Sequence, residues 1–267
     1  MNDKDKSNIT LYKFLNLFSL ILVLVVNFLA NYLPLNGYNT GELSDLYPNL
    51  FVPAGLTFSI WGIIYLLLSI FIISQFINFG KKEEVKEKII NKIGYLFFLT
   101  SLANAAWIFA WHFLYVFLSL IAMLVLLVTL ISIYKRLEIG LKKYSNRLYY
   151  IFILPFSVYL GWITIATIAN ITALLVDINV YGGFLNPVFW TILVLILGLI
   201  ITLYTLLKRK DIAYSLVVVW AYLGIIIKRY FQASEPIMSI VYTAIICIAI
   251  IIIYDINLTF KTFKESK

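Results

Sequence analysis

Three short runs of this chain place ring and amide side chains at helical spacing. Phe58, Trp61 and Tyr65 stand at i, i+3 and i+7 within Pro53-Ala54-Gly55-Leu56-Thr57-Phe58-Ser59-Ile60-Trp61-Gly62-Ile63-Ile64-Tyr65, which gathers them on one helical stripe. Asn104, Trp107 and Trp111 repeat that spacing, with His112 just beyond. Trp162, Ala166 and Asn170 follow at i, i+4 and i+8, about 12 Å along one face at 1.5 Å per residue. Rings offer broad stacking surfaces and amides a few oriented hydrogen bonds. The chemistry available is therefore recognition of a large, flat, mostly apolar molecule.

Reactive groups are scarce. There is no catalytic dyad, Walker loop, HExxH or GxSxG, so any bond-making chemistry would have to be light- or radical-driven at Trp61 or Trp162. One histidine and one cysteine, Cys247 within an apolar run, cannot assemble a zinc site or a haem clamp, and no intrachain disulfide can form. No metal and no bound cofactor is expected.

The elements that must carry these residues are membrane helices. The chain is 63% hydrophobic and 13% charged, with mean hydropathy +0.96, far more apolar than a soluble core requires. Eight continuously apolar runs, at about 14–33, 54–79, 93–111, 113–134, 148–176, 188–207, 212–230 and 236–256, are long enough to cross a hydrocarbon layer of about 30 Å. They lack the alternating polarity of barrel strands, so the expected fold class is an all-α polytopic transmembrane bundle. The first run lacks a small-x-small cleavage pattern at Ala30–Tyr32 and reads as a retained helix.

Lys and Arg fall in blocks: Lys4, Lys6 and Lys13; Lys81, Lys82, Lys86, Lys88 and Lys92; Lys135, Arg136, Lys142, Lys143 and Arg147; Lys208, Arg209 and Lys210; Lys261, Lys264 and Lys267. With eight spans, every one of these falls on the same side, and Lys228 and Arg229 alone fall on the other. The positive-inside rule then puts both termini in the cytoplasm of a bacterial-type cell membrane. The net charge of +8 follows from this topology and from the anionic inner leaflet, and nucleic acid is not among the expected partners. The basic connections 80–92 and 135–147 read as solvated interfacial segments.

On the opposite side lies the connection 34–53, with Pro34, Gly37, Gly41 and Pro48 but also Tyr38, Leu43, Leu46, Tyr47, Leu50 and Phe51. Its length favours a lid or binding loop over a tether, and its apolar content argues against a disordered connector. With this topology Trp61, Trp107 and Asn170 share the outer half of the bilayer, where the three stripes can meet under that loop. Each piece also has a plainer use. Trp111 and His112 suit an interfacial aromatic belt equally well, and Asn104 and Asn170 suit interhelical hydrogen bonds.

Pro53-Ala54…Thr57-Phe58…Trp61-Gly62…Tyr65, then Asn104-x-x-Trp107, then Trp162-x-x-x-Ala166-Thr167-x-x-Asn170, on successive spans, resemble the tryptophan-rich sensory protein family, also called the translocator protein or TspO/MBR family. The resemblance implies a five-helix unit over residues 1–176 that encloses a ligand cavity below the first loop, with a three-helix extension over 177–267 as in longer members. It implies binding of porphyrins or sterols, with Trp61, Asn104, Trp107, Trp162, Ala166 and Asn170 as pocket residues beside Phe58, Tyr65 and Trp111. Family members are often dimers, so a homodimer is also implied. The second helix departs from the family's proline- and tryptophan-rich entry, having Leu56, Ser59 and Ile60 instead.

The leading expectation is a membrane receptor or carrier for a porphyrin-like, haem-like or sterol-like hydrophobic small molecule. The alternative is a secondary transporter of a small apolar molecule. Asp177, Asp211, Glu235 and Asp255 fall near predicted span ends, which leaves no acidic residue at the bilayer centre for ion coupling.

Overall fold

A computed structural model describes residues 3–33, 35–181, 184 and 186–265. Pro34 and Lys267 lie outside the described residues. Continuous apolar runs in lipid must satisfy their own backbone groups, and among the described residues the result is helices without a β-strand. The helices are α1 (Asp3–Tyr32), α2 (Thr40–Asp45), α3 (Gly55–Ser74, opening with a 3₁₀ turn), α4 (Glu83–Ile93) and α5 (Leu96–His112). After them come α6 (Val116–Arg136), α7 (Asn146–Asp177), α8 (Pro187–Arg209), α9 (Ile212–Phe231) and α10 (Met238–Glu265).

Seven of these, α1, α3 and α6 to α10, are long and apolar enough to cross a membrane, and the chain is an all-α polytopic bundle. The run expected at 93–111 is α5, whose 17 residues reach that length only together with α4, from which it bends by 49°. The break is at Gly94, with φ +52°, a conformation that disfavours any side chain. The helix expected at 14–33 begins eleven residues earlier, at Asp3, because nothing in 3–13 stops it.

The segment 80–92, expected to be solvated, is instead mostly the amphipathic helix α4. Ile89, Ile90 and Ile93 are buried, and so is Lys86. Its ammonium donates to Gln75 O (3.2 Å) and Ile77 O (2.7 Å), the open carbonyls beyond the end of α3, and pairs with Glu83 at 2.6 Å. An amine meeting unsatisfied C-terminal carbonyls is the favourable polarity at a helix end. Sequence charge alone hides this, since one lysine of five turns inward.

α7 is the central helix: 78% of its apolar stretch is buried, against 33% in α1. It packs against α3, α6 and α9, while α1 and α5 flank one side and α8 and α10 the other. Close approach of α9 to α7 is possible because Gly161 has no Cβ; one there would lie 2.9 Å from Tyr214 O. Side-chain hydrogen bonds pin the seams. Asn27 Nδ2 donates to Asn104 Oδ1 (3.0 Å), Thr100 Oγ1 to Thr129 Oγ1 (3.2 Å), Tyr214 OH to Thr164 Oγ1 (3.0 Å) and Tyr222 OH to Leu195 O (2.6 Å).

The turn between α8 and α9 is built by its own residues. Lys210 takes the left-handed conformation that ends α8, and Asp211 then caps α9, with Oδ1 accepting from Tyr214 N–H at 3.3 Å. Tyr134 OH of α6 donates to Asp211 Oδ2 at 2.9 Å. Burial pushes the Asp211 carboxyl above its ordinary range, and these hydrogen bonds oppose the rise.

Candidate functional site

The loop 35–53 is ordered by its own polar groups and roofs the space between α3, α5, α7 and α9. Asn39 caps α2 by accepting from Gly41 N–H and Glu42 N–H, and the Glu42 carboxylate reaches back to Asn39 N–H, a capping box. His112 ties the loop to the end of α5. Leu35 O, 3.1 Å from Nδ1, can only accept, so Nδ1 carries the proton and Nε2 accepts from Thr40 Oγ1 at 3.3 Å. Farther along, Asn49 Oδ1 accepts from Phe51 N–H and Val52 N–H, which fixes the turn that lowers Phe51 into the bundle.

Below this roof lies an apolar cavity of about 50 Å³. Its floor and walls are Phe58 and Trp61 of α3, Trp107 and Trp111 of α5, and Trp162, Ile165, Ala166, Ala169, Asn170 and Ala173 of α7. Ala221 and Ile225 of α9 complete the wall, and Thr40, Ser44, Phe51, Val52 and Pro53 close the top. The rings form a continuous ladder: Trp111 stacks with Trp107 at 6.3 Å between centroids, Trp107 with Trp61 at 6.1 Å, and Trp61 meets Trp162 edge-on at 6.3 Å. Phe58 meets Trp162 edge-on at 5.9 Å, and Tyr47 of the loop covers Trp111 at 5.4 Å.

Polar groups around the cavity are few. Asn170 Nδ2 donates to Ser119 Oγ of α6 at 3.0 Å, which orients the amide. Trp111 Nε1 makes only a long contact, 3.5 Å, to Thr40 O. The indole N–H groups of Trp107 and Trp162 are buried without any hydrogen-bond partner. A buried N–H of this kind is unfavourable by about 1–3 kcal/mol unless something supplies an acceptor. No group of three or more potential metal-binding side chains occurs among the described residues.

Seven of the nine residues singled out from the sequence line this cavity: Phe58, Trp61, Trp107, Trp111, Trp162, Ala166 and Asn170. Tyr65 does not; its ring stacks under Trp61 at 5.5 Å and borders a separate groove along α1 with Asn27 and Phe28. Asn104 does not either. It is engaged as an interhelical tie, accepting from Asn27 and donating Nδ2–H to Tyr159 OH at 3.2 Å. Sequence reasoning did not single out Ala221 and Ile225, which are small or plain apolar residues on a late helix.

α9 holds the roof as well as the wall. Trp220 Nε1 donates to Thr57 O at 3.0 Å, and Ala54 N–H to Gly224 O at 3.0 Å. Arg229 Nη2 donates to Asn49 O (3.3 Å) and Val52 O (3.2 Å), on either side of Phe51, and Lys228 pairs with Asp45. Leu50 N–H donates to Tyr181 OH at 2.8 Å.

Comparison with known proteins gives a consistent frame for this arrangement. No curated protein and no solved structure matches the chain. A family model described as TSPO-like protein matches residues 13–256, from early α1 into α10, so it takes in the three late helices along with those before them. Since that match covers most of the sequence, the chain belongs to the TSPO-like protein family.

Proposed function

We propose that this membrane protein is a receptor or carrier that holds a flat, mostly apolar molecule of the tetrapyrrole kind in the aromatic cavity. The single observation that carries the reading is the pair of partnerless buried indole N–H groups on Trp107 and Trp162, two residues that line a cavity walled mostly by rings and aliphatic groups. Stacking surface with a few unmatched donors suits a ring system bearing hydrogen-bond acceptors. At about 50 Å³ the cavity is far smaller than the roughly 300–1,000 Å³ that drug-sized ligands occupy, so binding requires it to enlarge. Lifting of the 35–53 roof is the route this reading assigns. Under the positive-inside rule the roofed end faces outward and both termini face the cytoplasm.

The test is a titration of the purified protein with protoporphyrin IX and haem, followed by tryptophan fluorescence, alongside Trp107→Phe and Trp162→Phe. Saturable binding that weakens roughly 3- to 10-fold when one indole N–H is removed supports the reading. Quenching that never saturates, or that is the same in an unrelated membrane protein, sinks it.

A further inference from the structure

We propose that Arg229 is an anion-binding group at the mouth of the aromatic cavity, and that the molecule taken up carries a carboxylate or equivalent anionic group on its apolar body. The inference rests on the cavity reading given above and narrows its ligand class.

Beside the aromatic cavity lies a second, larger and more open one of about 580 Å³, bordered by Ser44, Asp45, Val52, Tyr181, Lys228 and Arg229. Ser44 and Val52 line both spaces, so they form the partition between them. Arg229 follows the wall residue Ile225 by four positions, about 6 Å along α9. The helix widens into a π turn over Ile227–Phe231, a local irregularity that recurs at functional sites.

The two cations of this mouth are not equivalent. Lys228 is paired with Asp45. Arg229 has no carboxylate within ion-pair distance among the described residues. Its Nη2 is used on two loop carbonyls, but its Nε–H is buried with no acceptor. A guanidinium has five donors in a planar fork that matches a carboxylate edge, and this half-buried one, held by carbonyl dipoles with the Asp45 carboxylate acting on it only from beyond ion-pair distance, gains from an incoming anion. Topology gives no reason for the charge to be here, because on the eight-span reading the other Lys and Arg among the described residues fall at the opposite end of the bundle.

The experiment compares protoporphyrin IX with its dimethyl ester, which keeps the ring and removes both negative charges, on the full chain in nanodiscs. The diacid is expected to bind roughly 10-fold more tightly than the ester, the scale of a charge-assisted contact. In Arg229→Gln that difference should shrink to about 2-fold or less, since loosening the roof acts on diacid and ester alike. Equal affinities for diacid and ester on the unsubstituted protein overturn the inference and leave the cavity reading standing. Failure of both to bind overturns the cavity reading itself, and the inference with it. A difference that persists in an Arg229→Gln protein of unchanged melting temperature removes Arg229 from the role. The diacid and ester comparison on the unsubstituted protein does not depend on the variant folding.

Discussion

Gly224 of α9 lies directly against Thr57 at the entry to α3: a Cβ on residue 224 would stand 1.9 Å from the Thr57 hydroxyl oxygen. The late helices are thus seated on the start of the aromatic stripe at a point that admits no extra atom. Gly224→Ala should destabilise the protein by roughly 1–3 kcal/mol, the usual scale of overpacking. Thr57→Ala in the same chain removes the two nearest atoms and should recover part of the loss. Melting temperatures of the two variants in one detergent decide it, and an undisturbed Gly224→Ala protein would show that α9 does not seat there.

Asn104 links three helices, through Asn27 of α1 and Tyr159 of α7, and lies off the cavity wall. Asn104→Leu leaves the Tyr159 hydroxyl and the Asn27 amide without their partner, which should lower stability by about 1–3 kcal/mol. Because the residue does not border the cavity, ligand affinity in the folded fraction should change little. A large loss of affinity with an unchanged melting temperature would return Asn104 to the site.

Tyr181 OH accepts from Leu50 N–H and so helps hold the roof down. If entry requires that roof to lift, Tyr181→Phe should speed association. One hydrogen bond of about 0.5–1.5 kcal/mol corresponds to a roughly 2- to 10-fold increase in rate. Stopped-flow quenching measures it, and an unaltered rate would mean the ligand enters elsewhere, for example laterally between helices.

The Asp211 carboxyl is held above its ordinary range by burial, so the folded protein binds a proton there more tightly than the unfolded chain does. Its contribution to stability is fully present below the unfolded value of about 3.9 and is lost as pH rises toward the folded value. Asp211→Asn keeps an N-cap oxygen for Tyr214 N–H and puts an amide N–H, which can donate to the Tyr134 hydroxyl oxygen, where Oδ2 accepted, without the charge. The variant should match or exceed the parent's melting temperature at pH 7 and show a flatter profile as pH rises above about 4. A variant that melts lower at pH 7 would mean the ionised carboxylate is a net stabiliser.

Much of this architecture was legible because lipid enforces it. Apolar runs of membrane length have to be helices, and ring residues at spacings of three and four have to share a face. That logic reached Phe58, Trp61, Trp107, Trp111, Trp162, Ala166 and Asn170 on the cavity wall. It left Asn104 open between cavity wall and interhelical tie, because an intramembrane amide looks the same whether it meets a ligand or another helix. It passed over Ala221 and Ile225, whose side chains carry no mark that separates a cavity wall from ordinary packing. It also read α4 as solvated, since the inward turn of Lys86 depends on the carbonyls left open beyond the end of α3.

The ladder from Trp111 through Trp107 and Trp61 to Trp162, with neighbouring centroids 6.1 to 6.3 Å apart, also acts as one optical antenna. At these separations indoles exchange excitation energy with one another. An acceptor touching a single rung therefore drains emission from its neighbours too, so the depth of quenching reports that the cavity is filled and the midpoint reports affinity, and neither identifies the rung that holds the ligand.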